Sequence, residues 1–331
     1  MIPIALDAMG GDHMPTAAVQ GAIAASKAGI AVTLVGDQQR LASEIAAQGG
    51  TLGGPLSITH AADVIAMDEQ ASIVRRRPEA SVMVAMDQVK NCTASAAVSL
   101  GHSGATMAAA LLRLGRIRGV ERPAILANVP HANGFSALID AGANTDCKPS
   151  YLAQFAVMGS VYAEAVWGIP APKVGLMSIG EEPGKGNELV RDAHPLLAAL
   201  PNINFYGNIE GRDVLSGVVD VIVTDGFTGN VILKLAEGEA KTLFGWIRDA
   251  LTSSLRAKIG GALVKPALKS LMQRVNPNAY GAQPLLGVDG YAFIGHGSAD
   301  SSAVFSALRT AHDLVAKDML GKMRSALQAI S

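Results

Sequence analysis

The chain has 331 residues, the length of about two ordinary domains or one large α/β unit. Hydrophobic residues make up 49% and charged residues 17%, against about 25% charged in an average soluble protein, which excludes intrinsic disorder. Basic residues number 27 and acidic residues 28, so a net charge of −1 provides no global field for DNA or RNA, and a nucleic-acid partner is excluded.

From the N-terminus, short apolar runs end in Gly, Asp or Asn and lead into Ala-rich helical stretches. They lie at 2–8, 31–37, 96–101, 124–129, 173–180 and 219–226. This alternation predicts a largely parallel sheet covered by helices, with function in the turns at the carboxyl ends of the strands. No linker, low-complexity tract or repeat divides residues 1–331, so one fold is expected, with room for two lobes around a cleft.

The first turn, Asp7 to His13, holds Gly10 and Gly11 with Pro15 beyond it, a geometry that lets backbone N–H groups and a helix start meet an oxyanion. Gly101-His102-Ser103-Gly104 offers the same geometry with added side-chain donors. The turn from Asp140 to Pro149 holds Asn144, Asp146, Cys147 and Lys148; its carboxylates either ligate a divalent cation or cap turns. Lys185 stands on a Gly-bounded loop, and Asp225 to Asn230 repeats the glycine pattern with Thr228 as the expected N-cap and Lys234 beyond. Each loop read alone serves equally as a tight connection. Three at strand ends, with the lysines, suit a phosphate.

From Trp246 to Val275 the strand rhythm stops. Ile247, Leu251, Leu255, Ile259 and Leu263 recur every four residues, and Leu268, Met272 and Val275 continue after Pro266. Six cationic residues against Asp249 give this window +5 and leave −6 elsewhere. It reads either as an amphipathic helix pair packed on the core or a dimer interface, or as an element dipping into a membrane surface. Near the C-terminus, His296 and Asp300 sit on another Gly-rich turn.

Motifs for the common sites are missing. Gly180 to Gly186 lacks a spacer and the hydroxyl residue of a P-loop, and no GxGxxG, GxSxG or HExxH is present. Cys92 and Cys147 form no CxxC pair, and a start carrying Asp7 and Asp12 before any Lys or Arg is unlike a signal peptide. A cytoplasmic chain without a spanning segment is expected, needing neither metal nor cofactor.

Five blocks carry a resemblance: DAMGGDH at 7–13, GRIRGVERPAI at 115–125, DAGANTDCKP at 140–149, MGSVYAE at 158–164 and DGFTGNVILK at 225–234. In that order, and on to GHGSAD at 295–300, the chain resembles the PlsX family, acyl-ACP:phosphate acyltransferases of bacterial phospholipid synthesis. The resemblance implies a three-layer α/β/α fold like isocitrate and isopropylmalate dehydrogenases, a homodimer, and peripheral association with the inner face of the cell membrane. It implies phosphorolysis of long-chain acyl-ACP to acyl phosphate and free ACP, feeding a downstream membrane glycerol-3-phosphate acyltransferase. One departure stands out: where the family reads Asn-Thr, this chain has His102-Ser103.

With this chemistry in view, Gly10, Gly11, Gly101, Ser103 and Gly104 are expected to supply phosphate donors, beside His102 and Thr228. Lys148, Lys185 and Lys234 would neutralise charge, His13 would be the general acid or base, and Asp7, Asn144 and Asn230 would orient polar partners. Leu255, Arg256, Lys258, Ile259, Leu263 and Lys265 would meet the membrane or the acidic carrier protein. Rival readings are a metal-dependent 3-hydroxy-acid dehydrogenase, a short-chain phosphate acetyltransferase and a silent membrane-associated scaffold.

Overall fold

The computed structural model describes residues 2–274 and 281–330; Val275 of the amphipathic window lies outside them. The strands are β1 (Ile4–Asp7), β2 (Val32–Gly36), β3 (Leu56–His60), β4 (Ala96–Ser99), β5 (Ala124–His131), β6 (Gly134–Ile139), β7 (Lys173–Met177), β8 (Asn204–Ile209), β9 (Val221–Val223), β10 (Ala282–Leu286) and β11 (Ala292–Gly295). The helices are α1 (Thr16–Lys27), α2 (Gln38–Ala47), α3 (Ser81–Lys90), α4 (Ser103–Arg113), α5 (Pro149–Trp167), α6 (Glu188–Ala198), α7 (Gly226–Thr252), α8 (Leu255–Arg274), α9 (Ser301–Ala316) and α10 (Met319–Gln328).

All eleven strands join one sheet in the order β3-β2-β1-β4-β11-β10-β5-β6-β9-β7-β8. Pairing is parallel throughout except where β10 meets β11 and β5, and where β5 turns back into β6. The mostly parallel α/β architecture expected from the alternation is present. Its near-uniform apolar runs follow from burial on both faces: Ile4 and Leu6 point into one core with Leu34, Val98 and Phe293, while Ala5 points into the other with Val35, Ala97 and Ile294. α1, α5 and α9 supply the first core, and α3 and α4 supply the second.

The antiparallel steps have a directional consequence. β6, β9, β7 and β8 run opposite to β1, β2, β3, β4 and β11, so the carboxyl ends of the two groups lie at opposite edges of the sheet. α7 connects them. It starts after β9, packs on β6 and β5, and reaches the turn after β11.

Two glycines seat the start of α7. A side chain at Gly229 would collide with the Asp140 carbonyl oxygen, and one at Gly226 would stand 2.8 Å from Asp140 Oδ2. The Gly226 N–H donates to the Asn144 carbonyl at 2.7 Å, so the helix presses directly on the 140–144 turn.

The amphipathic window comprises the outer end of α7 followed by α8. The chain breaks at Ser253-Ser254 rather than at Pro266, which lies inside α8. Serine hydroxyls explain the site of the break: Ser253 Oγ donates to the Ala250 carbonyl at 2.8 Å, and Ser254 Oγ accepts from the Ala257 N–H at 3.1 Å, closing one helix and capping the next. Leu255, Ile259 and Leu263 are 77%, 60% and 79% exposed, so this stripe is not core.

Gly229→Ala is expected to lift α7 from the Asp140 turn and cost about 1–3 kcal/mol, the usual penalty of overpacking, measured by urea unfolding. A stability equal to wild type would contradict that contact.

Candidate functional site

Three loops gather at the edge formed by the ends of β1, β4 and β11. Asp7 and Ser99 are register partners, and Ser99 Oγ donates to Asp7 Oδ2 at 2.8 Å. The Met9 and Gly10 N–H groups both donate to Asp7 Oδ1 at 3.2 Å. Asp7 is 3% exposed, and through these bonds its carboxylate shapes the turn.

Two glycine N–H groups are taken up within the turns. The Gly10 N–H is taken by Asp7, and the Gly101 N–H donates to Ser99 Oγ at 3.3 Å. What these glycines provide is close approach: a side chain on Gly10 would meet Gly101 Cα at 3.1 Å, and the reverse substitution would meet Gly10 Cα at 3.0 Å. The Asp12 N–H donates to the Gly297 carbonyl at 2.8 Å, knitting the third loop to the first.

Among the described residues, the N–H groups of Gly11, Ser103 and Gly104 have no acceptor within hydrogen-bond reach. The latter two open α4, where backbone donors have no intrahelical partner and the helix dipole favours an anion. His102 is the N-cap, its Nδ1 accepting from the Ala105 N–H at 3.2 Å. That geometry leaves the ring proton on Nε2, so the imidazole reproduces what asparagine does here, one acceptor for the cap and one outward donor. The His102-Ser103 departure thus keeps the cap.

A second cluster lies where β6 and β9 end. Asp140 is fully buried, and its Oδ1 accepts from the N–H groups of Ile125, Gly142 and Ala143 at 3.1, 3.0 and 2.9 Å. Oδ2 accepts from the Asn144 N–H and Nδ2 at 2.7 and 2.8 Å, and Nδ2 also donates to the Pro123 carbonyl. Burial pushes this carboxyl above the ordinary range while the donors oppose the shift. Asp140 has no lone pair left for a cation and Asp146 is exposed, so this turn is a cap rather than a metal site. Asn144 is equally committed, a brace of the turn and not a free substrate ligand.

Thr228 is not the N-cap of α7. Asp225 is, accepting from the Thr228 N–H at 2.9 Å, and the Thr228 hydroxyl donates back to Asp225 Oδ2 at 2.7 Å. Asn230 and Lys148 are exposed, the first beside Gly142 and the second immediately before Pro149 at the start of α5. Cys147 is half-buried; burial and then nearby Asp140 push its thiol up to about 12, which argues against a nucleophile.

The link between the clusters was not visible as a motif. Glu237, on α7, places Oε2 2.9 Å from Lys234 Nζ and Oε1 3.5 Å from His296 Nε2, on the turn after β11. Burial first, and the Lys234 charge second, hold the His296 imidazole below its ordinary range, while Glu237 opposes the shift. Lys234 is therefore brought to the first cluster. The three-residue spacing of Lys234 and Glu237 on one helix was the available signal. His13 is exposed on the first loop, near enough to Asp300 to help its hydrogen bond from Ser302 hold that carboxyl low.

Lys185 stands apart. Its strand, β7, lies beyond β9, and its described contacts are with its own loop at Gly180. The structure thus brings together Gly10, Gly11, Gly101, His102, Ser103 and Gly104 with His296, and joins Lys234 to them through Glu237; it keeps Asn144, Thr228 and Asn230 at the start of α7, and Lys148 at the start of α5. Glu181, Glu210 and Asp213 are the described carboxylates close enough to share an ion, and Arg212 already pairs with two of them.

Two outcomes follow. His102→Asn should unfold like wild type, whereas His102→Ala should lose about 1 kcal/mol as the cap is lost, both measured by denaturant titration. At pH 8, iodoacetamide should alkylate exposed Cys92 well before Cys147; equal rates by peptide mass spectrometry would contradict the raised thiol.

The chain matches the family model described as fatty acid synthesis protein over residues 2–322. A phosphate acyltransferase of Thermus thermophilus is 56% identical over 327 residues, covering 99% of each chain. One from Nostoc sp. is 48% identical over 328 residues, covering 98% of this chain and 96% of the relative. A solved phosphotransacetylase from Streptococcus pyogenes superposes with a TM-score of 0.63 at 15% identity, covering 99% of this chain and 94% of that one. A 4-hydroxythreonine-4-phosphate dehydrogenase from Klebsiella pneumoniae gives 0.58 at 13%, covering 95% and 100%; both likenesses concern the fold alone. Matched from end to end by model and relatives alike, the chain belongs to the fatty acid synthesis protein family, the PlsX family that its motifs resemble.

Proposed function

We propose that the chain is an acyl-ACP:phosphate acyltransferase. The observation that carries this reading is full-length identity of 56% to a phosphate acyltransferase in a chain whose β1, β4 and β11 turns present free backbone donors beside a lysine. A phosphate oxygen attacks the thioester carbon, the carbonyl oxygen takes the negative charge, and the C–S bond then breaks to release the carrier thiolate. A thiol of pKa about 8.5 is a good leaving group, so no protein nucleophile is needed. The balance closes with acyl phosphate and free ACP, and the enzyme's task is placement and charge stabilisation.

In this reading the Gly11, Ser103 and Gly104 N–H groups and Lys234 hold phosphate. His102 Nε2–H and the Ser103 hydroxyl add donors, and His296, backed by Glu237, joins His13 as a candidate for moving the proton. Asn230, about one turn of α7 from Lys234, and Lys148, at the start of α5, serve the approach of the carrier's thioester. Lys185, confined to its own loop, has no part in it.

A homodimer working at the inner face of the cell membrane completes the proposal. Acyl phosphate is amphiphilic and would pass to a membrane glycerol-3-phosphate acyltransferase. No described helix is long and apolar enough to cross a membrane. The support for surface binding is the exposed Leu255, Ile259 and Leu263 stripe of α8, flanked by exposed Arg256, Lys258 and Lys265, a pattern that suits anionic headgroups; the same charges suit acidic ACP.

Incubation with palmitoyl-ACP should release thiol and form acyl phosphate in proportion to added phosphate; thiol release independent of phosphate would overturn the reading. Lys234→Ala should lower kcat/KM for phosphate roughly 10- to 100-fold, the scale of a lost charge-assisted contact. Flotation with anionic liposomes should be lost when Leu255 and Leu263 are both changed to Asp, and undiminished flotation would remove α8 from the membrane account.

A further inference from the structure

Beneath α7 lies a cavity of about 400 Å³, lined mainly by apolar side chains. β5 contributes Leu126 and Val129, α7 contributes Leu233, Ala240 and Phe244, and β10 contributes Pro284. Its polar lining includes Glu237 and His296, the pair that joins α7 to the glycine loops. The lining therefore adjoins the turn after β11 at His296 and continues along the helix to Ile247. From Glu237, beside His296, the cavity's α7 lining continues to Ile247, about 15 Å at 1.5 Å per residue. Half of a bilayer's hydrocarbon core, the depth of one layer of acyl chains, is about 15 Å.

We infer that this slot holds the acyl chain of the substrate, with the thioester at the His296 end and the methyl end toward Ile247, and that its α7 lining selects chain length. The inference rests on the acyltransferase reading and adds the site for the chain. An acetyl group would leave the slot empty; a long chain fills it and removes its apolar wall from water. Ala236 and Ala240 face the slot one turn apart, so their small side chains keep it open beyond Leu233. The thioester would meet Glu237 and His296, and the tail mainly apolar side chains, with Asn128, Glu239 and Gln283 the polar exceptions.

The test compares octanoyl- and palmitoyl-ACP at saturating phosphate with wild type, Phe244→Trp and Phe244→Ala. Phe244→Trp, which narrows the slot about 10 Å beyond Glu237 on α7, should lower kcat/KM for palmitoyl-ACP at least about tenfold while octanoyl-ACP, which ends short of it, loses far less, since only the longer chain has methylenes that lose their burial. Phe244→Ala should shift preference toward longer chains. The octanoyl rate also reports that each variant folds. Equal losses on both substrates, in either variant, would overturn the slot, and a change of oligomeric state by sedimentation with unchanged chain preference would assign the groove to a second copy of the chain instead. Wild type inactive on both substrates would defeat the acyltransferase reading itself.

Discussion

The placement of α7 depends on one buried carboxylate. Asp140 gathers the N–H groups of Ile125, Gly142, Ala143 and Asn144, and that turn gives α7 a flat seat against which Gly226 and Gly229 can lie. A carboxylate without those donors would carry a desolvation cost that no strand end could sustain. With them, the helix leaves the sheet at a fixed angle and delivers Lys234 and Glu237 to His296. The same helix roofs the apolar slot and then hands the chain to α8. A structural residue at one sheet edge thus positions the chemistry at the other.

The glycine loops show how a motif's chemistry and its packing can be confused. Gly10 and Gly101 look like donors in the sequence, yet their N–H groups are bound within their own turns and their value is mutual contact. The free donors are their neighbours Gly11, Ser103 and Gly104. Asp7 makes the difference: an aspartate two and three residues ahead of Met9 and Gly10 forms a side-chain-to-backbone turn, which consumes those N–H groups. That signal was present in the sequence.

The parallel framework was legible because β1, β2, β4, β5, β7 and β9 are apolar strands bounded by turn residues, buried on both faces or nearly so. The outermost strands β3 and β8 were not, since half-exposed positions such as Thr59 and Asn204 break the apolar run. The reversal through β5 and β6, which puts the two sets of loops at opposite edges, depends on long-range pairing that no local pattern records. The strand-free basic window starts at Trp246 in the sequence, whereas the helix that carries its first part, α7, runs unbroken from Gly226 because nothing before Ser253 stops it. Glu237 was hidden for a related reason: an acid on an exposed helix gains significance when β11 brings His296 to it.

The central claim is that phosphate itself is the nucleophile, held by backbone donors and Lys234 against an acyl thioester. Running the reaction with phosphate labelled with oxygen-18, in unlabelled water, tests this directly by mass spectrometry of the acyl phosphate. The account predicts that the bridging oxygen between acyl carbon and phosphorus carries the label, with one thiol released per acyl phosphate formed. Unlabelled fatty acid as the main product, or a bridging oxygen drawn from water or from the thioester, would contradict it.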